Sequence, residues 1–297
     1  MTTFRAERLS PEPIIHARLP GLEGGHGANI NGPSLVRVPP WLPRPLGRYY
    51  LYFAHHAGHY LRMAWADELT GPWTVLPEPG VLHKDQGPGI HHIASPDVHV
   101  DAAGRRLRMY FHQPVEGSGQ RSFAALSEDG LRWQVRPIDL GPSYFRVFSH
   151  EGWVYAYAMR PSPGGGLLLR SRDGITAFEE GPAIQPGCRH AATWVEGATL
   201  HLFFSRKEDA PERILVTAVD LAGPWESWQP GPERLVLRPE LDWEGAGAPV
   251  EASRSGAVAG LVHQLRDPGI YEEDGRLYLL YSGSGERALG IARLHRS

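Results

Sequence analysis

The chain has 297 residues, with 30 Lys+Arg against 33 Asp+Glu and a formal net charge of −3, so no strong field points to nucleic acid or to an anionic membrane surface. A hydrophobic fraction of 41% beside 35 glycines and 27 prolines excludes a disordered chain and predicts many short elements joined by turns, which means β structure. The single cysteine, Cys188, excludes an internal disulfide, and the opening MTTFRAERLSPEP carries no apolar leader, so a cytoplasmic protein is expected.

In chain order the first strand-like run is PIIHARL, residues 13–19. A unit over 29–80 follows, reading GPSLVRV, YYLYF from Tyr49, YLRMAWA and TGPWTVL from Thr70. The next, 91–138, reads SPDVHVD, LRMYF from Leu107, RSFAALSE and DGLRWQV. A third unit, 142–182, gives SYFRVFS, WVYAY from Trp153 and GLLLRSR. The fourth, 187–230, gives RHAATWVE, LHLFF from Leu200, RILVTAVD and AGPWESW from Ala222. After an insertion over 231–262, the fifth unit, 263–297, gives DPGIYEE, LYLLY from Leu277 and ALGIARL, and lacks a fourth strand. Ala103-Gly104, Glu151-Gly152, Glu196-Gly197 and Asp274-Gly275 separate first from second runs, and glycine at φ > 0 suits such tight hairpins.

Five units of three or four antiparallel strands recurring in step predict an all-β, single-domain, five-bladed β-propeller rather than a sandwich or irregular barrel. The segment 13–19 is expected to supply the missing outer strand and close the ring.

The first strand of each blade lines the central channel of a propeller. At these positions stand Asn29, Asn31 and Ser34; His91, His92, Ser95 and Asp97; Tyr144 and Arg146; Arg189 and His190; His263, Gln264, Arg266 and Asp267. Buried charges are costly unless paired or hydrated. So dense a polar set points to a wet, ligand-binding channel, the alternative being inter-blade ties.

Arg266-Asp267-Pro268, followed by GIYEEDGRLYLLYS, and the recurring first strand, Gly turn, aromatic second strand and GPW phrase resemble the five-bladed propeller glycosidases. Those are the arabinanase/xylosidase, invertase/levansucrase and neoagarooligosaccharide-hydrolase groups, and the likeness runs from Asn29 to Leu294. The resemblance implies a glycoside hydrolase with carboxylates at the channel mouth, one protonated and one ionised. The catalytic candidates are Asp97 in SPDVH, Asp267 in RDP and Glu251 in PVEASRSG. Asp267 matches an aspartate that in those families orients sugar hydroxyls, and Glu251 lies in the insertion, where a substrate-closing element belongs. The pattern departs in two places: blade one has Asn31-Gly32-Pro33-Ser34 where the family keeps an aspartate, and blade three has Tyr144-Phe145-Arg146 where many members keep a glutamate.

Asn31, Trp41, His92, Tyr144, Arg146, Arg189, His190 and Arg266 are the substrate-binding candidates, Trp41 as a stacking face in the loop PPWLPRP. No cofactor is required on this reading. A loosely held, calcium-like divalent cation is the metal expectation, with His92, His190 and His263 as ligands; no HExxH or similar spacing argues for zinc. The expected partner is a small carbohydrate or glycoside carrying, in one version, an anionic group. Two other readings stand beside hydrolysis. One is a phosphorolytic glycosidase, with Arg146, Arg189, Arg266 and His190 clamping phosphate; the other is a non-catalytic carbohydrate-binding propeller.

Overall fold

In the computed structural model, which describes residues 2–160, 165–184 and 187–297, five antiparallel sheets stand around one axis. Blade 1 is built from Asn31–Arg37, Tyr49–Ala54, Tyr60–Ala66 and Thr74–Val75, with Leu82–His83 also on its third strand. Blade 2 comprises Ala94–Asp101, Arg106–Val115, Gly119–Ser127 and Gln134–Pro142. Arg146–His150, Trp153–Met159, Gly166–Ser171 and Glu179–Ile184 make blade 3. Cys188–Glu196, Thr199–Arg206, Ile214–Asp220 and Arg234–Leu237 make blade 4. Leu265–Glu273, Arg276–Gly283 and Ala288–Arg296 form the inner three strands of blade 5. Among the described residues no helix is long and apolar enough to cross a membrane.

Alternation along the strands explains why the middle of the second strand of each blade is largely apolar on both faces. Successive side chains point to opposite faces, and here both faces meet a neighbouring blade. Tyr49, Leu51 and Phe53 pack against Tyr271, Tyr278 and Leu280 of blade 5, whereas Tyr50, Tyr52 and Ala54 pack against Val98, Met109 and Phe111 of blade 2. In the same way Phe204 faces blade 3 and Phe203 faces blade 5. The core is therefore five apolar clusters, one at each blade-to-blade interface.

The ring closes through the N-terminus, but mainly by a different segment from 13–19. Phe4–Arg8 is the outer strand of blade 5, in register with Arg296 to Ala292, and only Ile15 and His16 of the expected run pair with that strand, at Leu289 and Ala288. The sequence FRAER hides this because an outer edge strand needs only Phe4 and Ala6 on its packed side.

The inner strands of blades 1, 2 and 5 share one irregularity. Gly32, Ser95 and Asp267 have φ of 60°, 55° and 48°, each precedes a proline, and each sits at a register shift. A left-handed residue followed by proline, which has no N–H for the ladder, is a bulge. Tyr144, φ 65°, holds the same place just ahead of the inner strand of blade 3. Asp267 thus corresponds to Ser95, and Asp97 lies two residues, roughly 6–7 Å, farther along its strand.

Candidate functional site

Every inner strand runs away from one mouth of the channel, and each turn between second and third strands returns to that mouth. These turns and the starts of the inner strands enclose a cavity of about 430 Å³. The turns contribute His56, Gly119 and Gln120, Met159 and Arg160, Lys207, and Glu286; the inner strands contribute Tyr144, Arg189 and His190. Part of the insertion lies over it: Gly256 lines the cavity and accepts hydrogen bonds from Arg189 (2.8 Å) and Arg266 (3.2 Å).

Beneath the cavity is a buried charged network. Arg266 is fully buried and donates from Nε to Glu212 (3.1 Å) and from Nη1 to Glu286 (3.2 Å). Arg189 stands 3.5 Å from the same Glu212. Glu286 accepts from Asn29 (2.7 Å) and Asn31 (3.0 Å), and His56 lies 3.6 Å from it. Against the cost of burial, these contacts, that of His56 first, and the nearby Arg266 charge hold Glu286 well below the usual carboxylate range.

Asp267 is poorer in partners. One oxygen lies 3.2 Å from His190 Nδ1, and the other is buried with no hydrogen bond. Burial, and after it the charge of Glu286, pushes Asp267 up to about 8, so it is protonated at neutral pH. Burial also lowers His190 well below its usual value, helped by Arg189, so its ring is neutral. Its Nε2 is 3.1 Å from the Tyr144 hydroxyl. Tyr144 is packed between His112 and His190, with ring centroids 4.8 and 5.2 Å away. The strained φ of Tyr144 is the kind of outlier that gathers at functional sites.

Arg146 fills the channel axis below. It donates to the carbonyls of Ala191 (3.0 Å), Ser95 (3.3 Å), Pro96 (3.5 Å) and Phe145 (3.1 Å), tying blades 2, 3 and 4. On its far side Asp97 accepts from Val147 N–H and from His99, both at 2.8 Å. His99 lines a separate cavity of about 300 Å³ with Asp101, Arg108 and Asp173.

Of the sequence candidates, Asp267, Asn31, Tyr144, Arg189, His190 and Arg266 are therefore brought together, with Arg146 beneath them. Asp97 is not, because it lies two residues beyond Ser95, the residue that corresponds to Asp267. Glu251 is exposed and lines an adjoining cavity of about 590 Å³ with Lys207 and Ser253. Trp41 packs on the core between blades 1 and 2, under Arg105 of a turn at the opposite end. His92 is half-buried with its ring edge-on to His112, 6.2 Å away, and His263 approaches Ala248 O of the insertion at 3.3 Å. Glu286, Glu212 and His56 were not among the candidates. Their signal is a turn position in an otherwise repeated blade, which inner-strand reasoning passes over.

Among the described residues, His190 alone of the expected histidine ligands joins a metal-type group: its ring and the carboxylates of Asp267 and Glu286 offer donor atoms within 4.8 Å of one another. The set fits a calcium-like ion poorly. Such an ion takes six to eight oxygens, both oxygens of Glu286 already accept bonds, and the positive field of Arg146, Arg189 and Arg266 reaches His190.

No family model matches the chain. The uncharacterized protein R118 of Acanthamoeba polyphaga mimivirus is 32% identical over 324 residues, spanning 97% of this chain and 89% of that one. Among solved structures, a GH43 β-xylosidase/α-arabinofuranosidase from a compost microbial metagenome, in complex with xylotriose, superposes with a TM-score of 0.62 at 13% identity, over 98% of this chain and 94% of that one. The catalytic domain of the Coprinopsis cinerea GH62 α-L-arabinofuranosidase gives 0.64 at 13%, over 98% and 97%. A putative glycoside hydrolase from Bacteroides ovatus gives 0.68 at 11%, over 97% and 95%. The fold is that of the five-bladed propeller glycoside hydrolases.

Proposed function

The chain belongs to one family with the mimiviral protein R118, and we propose that it is a glycoside hydrolase acting on a short or terminal sugar unit held in the 430 Å³ cavity. The observation that carries this reading is the pairing of Asp267 and Glu286: two buried carboxyl groups within 4.8 Å, one protonated and one ionised. Glycoside cleavage needs such a pair, a proton source for the leaving oxygen and a negative charge facing the oxocarbenium-like transition state.

Glu286 lines the cavity and supplies the charge. Asp267 lies below the cavity wall, so its proton passes to His190 Nδ1 while Nε2 gives its own to the Tyr144 oxygen. The Tyr144 hydroxyl proton goes to the leaving oxygen as the glycosidic bond breaks. A water then bonds to the anomeric carbon and returns a proton to Asp267 along the same line. Asn31 and Asn29 hold Glu286 in place; they cannot act as bases. The roles expected of Asp97 and Glu251 pass to Glu286. Because the His190, Asp267 and Glu286 set suits a calcium-like ion poorly, no step is routed through one.

The neighbours in fold are xylosidases and arabinofuranosidases, which makes aryl xylosides and arabinofuranosides the first substrates to try. Release of sugar from one of them by the wild type, and its loss in Asp267→Asn and Glu286→Gln, is the expected result. Heat on sugar addition with no product from any glycoside would favour a binding propeller instead.

A further inference from the structure

The cavity that meets Glu286 at its floor is cationic at its rim. Arg160, on the second turn of blade 3, and Lys207, on that of blade 4, both line it and are both exposed. Neither makes an ion pair among the described residues. Lys207 is one of only two lysines in a chain whose net charge is −3. Glu208 and Glu251 line the adjoining cavity, not this one. Below the rim Arg146 spends its hydrogen bonds on backbone carbonyls alone. The two deeper arginines, Arg189 and Arg266, share the carboxylates of Glu212 and Glu286. Positive charge thus exceeds negative charge around this one cavity of an otherwise acidic protein.

We propose that the sugar bound here carries an anionic oxygen group, a phosphate ester or a carboxylate, held at the rim by Arg160 and Lys207. The inference names the substrate class of the proposed glycosidase site and rests on that reading. Arg and Lys form charge-assisted bonds with either group. The position of the two cations fixes the orientation. An anion beside the ionised Glu286 would be repelled, so the anomeric end of the sugar faces the floor and the anionic substituent faces the rim. The same repulsion argues against free phosphate as the attacking group.

Calorimetric titration of glucose, glucose 6-phosphate and glucuronate into the full chain tests this, because the three differ only at C6. At low salt at least one anionic sugar should bind about tenfold or more tighter than glucose, and the preference should shrink as ionic strength rises. The two anions compared with each other identify which oxygen group the rim takes. In an R160A K207A double variant the preference should collapse, the affinities for the anionic sugars falling to that for glucose. Equal affinity for all three sugars, or a preference that survives the double substitution, overturns the proposal. So does turnover accelerated by inorganic phosphate without any preference for the anionic sugars. A panel of neutral and anionic aryl glycosides reads the glycosidase assignment separately: no cleavage of any of them ends that assignment, whereas cleavage of neutral members alone ends only the inference about charge.

Discussion

Asp267 and Glu286 place carboxylate oxygens within 4.8 Å of each other and hold opposite protonation states. Two carboxyls so close in a buried site cannot both ionise cheaply. The tie is broken by donors. Glu286 has Arg266, Asn29 and Asn31, while Asp267 has one oxygen near His190 and the other without a hydrogen bond. The proton therefore stays on Asp267.

The first prediction concerns turnover. Asp267→Asn and Glu286→Gln should each lower kcat by about 10²–10⁴ while the circular dichroism spectrum is unchanged. Since Asp267 must carry its proton, wild-type activity should hold through neutral pH and fall as pH passes about 8. A rate that instead rises through that range would reverse the assignment.

Stability gives an independent reading of the same proton. The folded-state value of Asp267 is raised from 3.8 to about 8, so its stabilising contribution is complete below the lower value and is lost as pH rises to the upper one. Asp267→Asn is neutral at all pH. Its melting temperature should therefore gain on the wild type between pH 4 and 8 and level off above, as followed by calorimetry. A constant difference across that window would show that Asp267 is ionised throughout.

The blades were legible in the sequence because the second strands are buried on both faces, and a strand buried on both faces reads as a continuous apolar run, as YYLYF and LHLFF do. Half of the site was legible too, since inner-strand starts must face the axis: Asn31, His190, Arg266 and Asp267 all do so. Two things were hidden. The shared left-handed residue before a proline shows that Asp267 corresponds to Ser95 and not to Asp97, and that equivalence is a matter of φ and register rather than composition. Glu286 sits in SGSGERALG, which reads as an ordinary turn until the ring brings that turn over the axis.

Tyr144→Phe removes the hydroxyl that His190 Nε2 meets at 3.1 Å and leaves the ring packed between His112 and His190. If proton delivery runs along this line, kcat should fall by about 10-fold or more with KM little changed. A rise in KM at constant kcat would make Tyr144 a sugar-binding group only.

Asp97 should behave as a tie between blades. Against the cost of burial, His99, Arg146 and the Val147 N–H hold it below its ordinary 3.8. Asp97→Ala leaves the Val147 N–H without its acceptor, a cost of about 1–3 kcal/mol. The folded-state value is depressed, so the contribution is present above pH 3.8 and is lost as pH falls below it. Urea titrations at pH 7 should show the loss, and turnover should be untouched. A fall in kcat of the size expected for Asp267 would return Asp97 to the catalytic set.

The last prediction tests how the ring is closed. Arg8, at the end of the N-terminal outer strand, donates from Nε and Nη2 to the two oxygens of Glu244, both at 2.8 Å. Glu244 belongs to the insertion, is fully buried, and also accepts the Tyr281 hydroxyl at 2.8 Å and the backbone N–H of Glu240 at 2.8 Å. One bidentate pair therefore joins the N-terminus, the insertion and the middle strand of blade 5. Arg8→Met would strand a buried carboxylate without its cation, which costs about 3–5 kcal/mol. Replacing Glu244 as well, in an R8M E244M double variant, removes the stranded charge, and apolar side chains of similar size in place of a buried pair are often close to neutral. Denaturant titrations of the wild type, both single variants and the double variant complete the cycle. The double variant should recover part of what R8M loses, the remainder being the Tyr281 hydroxyl and the Glu240 N–H left without an acceptor. Additive losses would mean that the two side chains act independently, and the closure of the ring would then rest on the backbone pairing of Phe4–Arg8 with Ala288–Arg296 alone.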